Sequence, residues 1–478
     1  VSSTSTPSPA SKQRAPLPDG TIPVGVALLV AGIATYAFFR VGTLAVGGDE
    51  EFTPIVSLWF ATFALAPGFF LPLEQELGRA LAHRRATSDG TRPVIEKVAR
   101  LGGGLVAVIV VAILAMSPLI ATSYFDGDWW MVVALIGTFV AYAPAHLARG
   151  ICSGSGRFRD YAIIMGSDGV IRILLCIALA VVGITAAGAY GLAVAVSPLF
   201  AVGYVWRRGA LRAIPRDRAG VSDDPARSEP PDGYASFDRG ELPSGSGQAA
   251  DDGTPATWSE VTPNLGWLLL GSVFAATLLN AGPITMTLLA NETQEGLVTT
   301  FSYGVLLARI PLFLFQAVQA ALLPGLSRLA AQGEFDEFRD GMKRLTVVVI
   351  AVGVVGTLGA FVLGEPVIDL VYKAQLGGRT LAVLALASAV YMMALALGQA
   401  VIALKGHALV ALGWGLGVVT FGLVTWLSTD ELFRRIEYGL FSSSVVAMIA
   451  FGLALRSRLG SGVVPDQGSV IEAATPRK

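Results

Sequence analysis

The sequence predicts an all-α, polytopic membrane protein with twelve transmembrane helices in two six-helix lobes. Composition comes first: the 478 residues are 53% hydrophobic and 14% charged, with a mean hydropathy of +0.63, whereas soluble domains carry about 25% charged residues. The second observation is a series of apolar segments, each long enough to cross a hydrocarbon core about 30 Å thick. The third is a polar stretch, 207–261, that divides those segments into two sixes.

Residues 1–21 are rich in Ser, Thr and Pro, which predicts a disordered cytoplasmic tail. The apolar stretch that follows is too long for a signal peptide and lacks a small-residue cleavage pattern. The N-terminal lobe, 22–206, is expected to hold spans at Ile22–Val46, Pro54–Leu81, Val98–Ala121, Trp129–Ala148, Tyr161–Val182 and Ala186–Trp206. Residues 207–261 interleave Pro, Gly, Ser, Asp and Arg and cannot bury a core, so they read as a disordered cytoplasmic linker. The C-terminal lobe, 262–456, is expected to hold Pro263–Leu289, Leu297–Leu323, Leu345–Leu363, Leu381–Leu404, Ala408–Leu427 and Tyr438–Leu455, with a cytoplasmic tail at 457–478.

Arginine and lysine set the orientation. With both termini inside, most of the 34 basic residues fall on the cytoplasmic side, among them Arg84, Arg85, Arg92, Arg328, Arg339, Lys343 and Arg344. Lys373, Arg379, Arg434 and Arg435 are outer exceptions. The first outer loop, with Asp49, Glu50 and Glu51, is acidic and reads as an ordinary short loop. Matching pieces recur in the two halves: Arg40-Val41-Gly42 with Asn280-Ala281-Gly282, Gly78–Ala82 with Ser327–Ala331, and the turn after span 4 with that after span 10. Repeats in the same orientation place a site between the halves.

Three arginines lie inside spans. Arg309 is about 18 Å into its span at 1.5 Å per residue, near the middle of the bilayer. An arginine there costs at least about 2.5 kcal/mol to insert, so it must face protein or a water-filled cavity. It either holds helices together through carbonyls or meets an anion, for which its rigid donor fork suits phosphate. Asp168 and Arg172, four apart, share a helix face. They form either a neutralising pair, or a substrate contact with a carboxylate that releases it on protonation. Arg40 lies near the outer end of span 1, where it can snorkel, and its repeat mate Asn280 is also polar. Glu74 and Glu76 read as interfacial carboxylates beside Arg79 and Arg84, with gating or coupling by Glu74 as the functional alternative. Pro67, Pro144, Pro198, Pro283 and Pro311 should kink helices and free carbonyls, and Gly413-x-x-x-Gly417 permits close helix contact.

Cys152 and Cys176 sit at different depths, which argues against a disulfide. His83, His146 and His407 show no metal-ligand spacing. No cofactor, metal or catalytic signature is expected, and the short outer loops leave little room for a glycosyltransferase site. The arginine-rich, lysine-poor composition suggests a GC-rich bacterial genome.

The segments ARIPLFLFQAVQAALLPGLSRLAA, PLEQELGRALA and LARGICSGSGRFRDY, the last followed by VIRILLCIALAVVG, resemble the polysaccharide exporters of the multidrug, oligosaccharidyl-lipid and polysaccharide exporter superfamily. The resemblance runs over roughly residues 22–456. It implies a six-plus-six fold alternating between inward-open and outward-open states. It further implies flipping of polyprenyl-phosphate- or pyrophosphate-linked oligosaccharide to the outer leaflet of a bacterial cytoplasmic membrane. Arginines such as Arg40 and Arg309 would then hold the phosphate. The expected partners are the lipid-linked oligosaccharide, membrane lipids, and envelope glycosyltransferases or a polymerase; nucleic acid is not one. Three alternatives remain: a cation or drug antiporter of the same fold, which wants cavity acids; a major facilitator carrier, whose motif after span 2 is missing; and a non-transporting scaffold of an envelope-assembly complex.

Overall fold

The computed structural model describes residues 21–87, 89–212, 254–258, 265–312 and 332–460, with 315, 326, 329 and 330. Expectations for the two tails, for the body of the linker and for Ser327-Arg328 lie outside those residues. The first six helices are α1 (Thr21–Val46), α2 (Asp49–Ala86), α3 (Arg92–Tyr124), α4 (Trp129–Gly154), α5 (Phe158–Val182) and α6 (Ala187–Arg207). Past the linker come α7 (Leu265–Leu289), a 3₁₀ turn (Glu292–Gln294), α8 (Glu295–Ala308), α9 (Phe335–Tyr372), α10 (Gly378–Ala403), α11 (His407–Leu427) and α12 (Leu432–Gly460). Eleven of the described helices are long and apolar enough to cross a membrane. The protein is a multi-pass membrane protein.

α8 is interrupted by a turn. The helix stops at Ala308, and Arg309 takes up a turn geometry with φ −93°. Pro311 explains this: it offers no N–H to Leu307, and its ring crowds that carbonyl. The continuous helix expected over Leu297–Leu323 is therefore interrupted at the buried arginine: residues 310–312 beyond the turn are helical again, and most of the rest of that stretch lies outside the described residues.

Within the first half, α1 packs on α5, α2 on α4, and α6 on α4 and α5; in the second, α9 and α12 pack on α10, and α11 on α12 and α7. The halves meet through α2 against α7 and α8. Small residues allow the closest approaches. A Cβ on Gly154 of α4 would lie 2.7 Å from the Gly78 carbonyl of α2, and one on Gly150 would lie 2.8 Å from the Glu74 carbonyl. This spacing of four draws α4 against α2. Gly413 likewise receives the Phe451 ring, as its motif predicts. The repeat survives in packing: Gly42 meets Phe52 of the next helix, and Gly282 meets Phe301 of the next helix.

α2 runs from the acidic end of the bundle to the basic end, with Asp49, Glu50 and Glu51 in its first turn and His83, Arg84 and Arg85 in its last. Both charge sets complement the helix dipole. At 38 residues it is about 57 Å long and projects beyond the bilayer. At the basic end, residues 254–258 lie across the start of α3. Arg84 donates to Thr254 O (2.8 Å), Lys97 donates to Ala256 O (2.8 Å) and stands over the Trp258 ring at 4.1 Å. Asp89 accepts from both the amide (3.1 Å) and the hydroxyl of Thr254.

Candidate functional site

The site is built around α2 where the halves meet, and prolines prepare it. Pro283 in α7 cannot donate to Leu279 O four residues back, and that freed carbonyl accepts from Arg309. Pro67 in α2 frees Phe63 O in the same way, and Asn280 donates to it at 3.2 Å across the lobe boundary. Asn280 Oδ1 in turn accepts from Arg309 at 3.1 Å. Two of the proline kinks expected from the sequence thus supply acceptors at one place. Arg309 is 7% exposed, stands over the Phe60 ring at 5.5 Å, and caps the C-terminal end of α8, where a cation is favoured. Its described partners are neutral, so among the described residues this buried positive charge has no carboxylate.

Arg172 has a different setting. Asp168 accepts from Arg172, from Tyr142 OH (3.0 Å) and from Ser197 Oγ (2.8 Å), and Arg172 also donates to Tyr142 OH (2.8 Å). The guanidinium lies over Trp59 at 4.6 Å and Phe63 at 5.4 Å. Trp59 and Phe63 share one face of α2, while Phe60 is turned toward Arg309. The two arginines therefore approach one turn of α2 on faces roughly 80° apart, and among the described residues neither bonds a side chain that the other bonds. Arg40 lies further toward the acidic end, 3.5 Å from Tyr372 O.

Glu74 does not stand beside Arg79 and Arg84 as expected. Glu76 takes Arg79 at 2.8 Å. Glu74, 4% exposed, accepts from Arg149 (2.8 and 3.0 Å) and from Tyr161 OH (2.9 Å), and lies 2.8 Å from His146 Nδ1. The close packing of Gly150 and Gly154 on α2 makes this cluster, and no sequence spacing joins its members: Glu74 and His146 are 72 residues apart. No metal-ligating group occurs among the described residues, and Cys152 and Cys176 are both buried and free.

At the acidic end the halves are bolted together. Thr43 Oγ1 pairs with Tyr303 OH (2.6 Å), Tyr303 donates to Asp49 (2.9 Å), Thr53 pairs with Thr299 (3.0 Å), and Ser57 pairs with Thr287 (2.9 Å). Tyr303 also stacks on Tyr372 at 4.0 Å. Asp49 therefore belongs to this closure, which corrects its reading as part of an ordinary loop.

This arrangement of helices is similar to that of solved multidrug transporters. An inward-facing multidrug resistance MATE family transporter of the MOP superfamily aligns with TM-score 0.64 and 14% identity, covering 92% of this chain and 98% of the other. The outward-facing form aligns with TM-score 0.61 and 12% identity, covering 93% and 96%. The chain shares the fold of these structures. Within that fold, residues 256–412, from the linker end through the start of α11, match the family described as Lipid II flippase MurJ. Two Mycobacterium tuberculosis (strain ATCC 25618 / H37Rv) relatives span most of the chain. Uncharacterized protein Rv3630 is 26% identical over 84% of each chain, and Uncharacterized protein Rv1510 is 26% identical over 92% of this chain and 94% of its own. The family match supports the exporter resemblance read from the sequence. The matched family is described as a flippase, and the solved structures of the same fold are described as transporters.

Proposed function

We propose that the protein flips polyprenyl-phosphate- or pyrophosphate-linked oligosaccharide from the inner to the outer leaflet for cell-envelope polysaccharide synthesis. The observation that carries this reading is Arg309: a buried guanidinium at a helix break, on the lobe boundary, with neutral described partners. An unpaired buried charge is costly, and a phosphate arriving there supplies the missing anion through the donor fork. The same positive centre opposes the cation-antiporter alternative. Arg172, already neutralised by Asp168, becomes a later contact in the cycle, and Arg40, nearer the acidic end, draws the headgroup outward. The closed acidic end is one limit of an alternating-access cycle in which the two lobes rock. Coupling falls to Asp168 and Glu74, the carboxylates whose release would free buried arginines. Both termini are cytoplasmic in this scheme, and envelope glycosyltransferases or a polymerase are the expected partners.

The test is translocation of a fluorescent polyprenyl-pyrophosphate oligosaccharide in proteoliposomes. Arg309→Ala should lower the rate at least tenfold, with Arg309→Lys retaining part of it as a point charge without the fork. Pro283→Ala should also slow transport, because Leu279 O returns to its own helix, while leaving the melting temperature equal or higher. Wild-type rates in Arg309→Ala would remove the phosphate site from this position. No transport by wild type under any imposed ion gradient would favour the scaffold.

A further inference from the structure

A groove of about 280 Å³ opens on the outside of the first lobe, between α2, α3 and α4. Its walls are apolar: Phe70 and Leu73 from α2, Val98, Gly103 and Val106 from α3, and Leu147 from α4. The buried edge of His146 forms its floor. The groove is on the face of α2 turned away from α7, since Pro67 and Gly68 make the contacts to Ser272 and Val273. It is therefore separate from the lobe boundary and from Arg309.

α3 keeps this space open at a cost. Gly102, Gly103 and Gly104 stand in mid-helix, where each glycine costs up to about 1 kcal/mol relative to alanine. A Cβ at Gly103 or Gly104 would meet nothing within 4 Å, so close helix packing does not account for them. The groove lies in the half of the span nearest the basic end. The medium there is hydrocarbon, and an apolar cavity of about 150 Å³ already holds a benzene ring.

The groove face of α3 continues toward the basic end with a heptad spacing: Val106, Gly103, Ala99, Glu96, Arg92. Arg92 and Arg100 both bond Glu96, at 2.9 and 3.3 Å, and their side chains are 58% and 80% exposed. With Lys97 the first turns of α3 hold three cations against one carboxylate. They also form a helix N-terminus, which favours anions. Arg92 stands about 10 Å below Ala99 along the axis, the relation of a lipid phosphate to the upper part of its chain. Basic sites of this kind at the cytoplasmic ends of membrane helices take anionic headgroups.

We infer that this groove is a binding site for an anionic glycerophospholipid of the bilayer, with one acyl chain between α2, α3 and α4 and its phosphate at Arg92 and Arg100. It is a resident lipid, because α2 separates it from the transport route. The chain wedges the α2–α4 contact from behind His146, so occupancy steadies the Glu74 cluster.

The test uses the full chain in nanodiscs containing phosphatidylglycerol or phosphatidylcholine with a photoreactive group on the acyl chain, with labelled residues mapped by mass spectrometry. Phosphatidylglycerol should label 98–106 and 140–147 about tenfold more than phosphatidylcholine. Gly103→Phe should abolish that labelling, and the double variant Arg92→Gln, Arg100→Gln should reduce phosphatidylglycerol to the phosphatidylcholine level. The second variant covers the case in which the first fails to fold. Equal labelling by both lipids in wild type would overturn headgroup recognition. Displacement of phosphatidylglycerol by a polyprenyl phosphate at stoichiometric amounts would assign the groove to the carried lipid instead and overturn the resident-lipid proposal. Labelling is read without transport, so its outcome is independent of the flippase reading.

Discussion

At the scale of single residues, charge inside the bilayer is what the sequence exposes and pairing is what it conceals. Arg309, Arg172 and Asp168 are conspicuous because ionisable groups in apolar spans are rare. Whether each is neutralised is a matter of neighbours: Arg172 has Asp168, whereas Arg309 has an amide and a carbonyl. His146 could not be singled out, because nothing in its own segment points to Glu74. The one available signal was Gly150-x-x-x-Gly154, which announces a close helix neighbour without saying which. The cluster bears weight in the fold. Glu74→Gln leaves Arg149 buried without its carboxylate, a loss of about 3–5 kcal/mol for a broken buried pair, and should lower the melting temperature in detergent by several degrees. An unchanged melting temperature would show that Arg149 finds another partner.

At the scale of elements, α2 organises the molecule. One face takes α4 through small residues, another carries Trp59 and Phe63 to Arg172, and a third meets α7 and α8. Its length past the membrane also creates the seat for residues 254–258. Asp89 is the titratable part of that seat. Partial burial pushes its carboxyl up, but the hydrogen bonds from Thr254 and Gly90 and the nearby Arg84 outweigh this and hold it below its usual range. A depressed carboxylate pKa contributes stability above its unfolded value, and that stability is lost as pH falls through the folded value. Amide exchange at Thr254, corrected for intrinsic rate, should therefore be slow at neutral pH and accelerate only under acid. In Asp89→Asn it should be faster by roughly tenfold at neutral pH, as for a locally opened segment. Equal protection in wild type and variant would detach Asp89 from the seat.

At the scale of the whole molecule, the bonds between Thr43, Asp49, Thr53 and Ser57 and their partners in the second half define a closed acidic end. The hydroxyl oxygens of Thr53 and Thr299 are 3.0 Å apart, so sulfurs in their places would face each other across the boundary, where a disulfide can form. If the acidic end opens during transport, Thr53→Cys with Thr299→Cys should stop transport when oxidised and recover it with reductant. Full transport by quantitatively cross-linked protein would sink the rocking scheme. The native Cys152 and Cys176 are buried and should not interfere.

Hydropathy alone placed the eleven spans that the described residues hold, though several helices run five to ten residues past the expected limits, because a lipid solvent forces every backbone bond into helices and rewards unbroken apolar runs. The internal repeat and the intramembrane arginine were legible for the same reason: each departs from an otherwise uniform composition. Only the tertiary structure decided that Pro283 and Pro67 hand their orphaned carbonyls to Arg309 and Asn280, that Arg172 and Arg309 stand over different rings of one α2 turn, and that Glu74 belongs with Arg149 and His146. Those pairings join residues tens to hundreds of positions apart, and which faces of two apolar helices meet is settled by packing of small side chains that hydropathy does not distinguish.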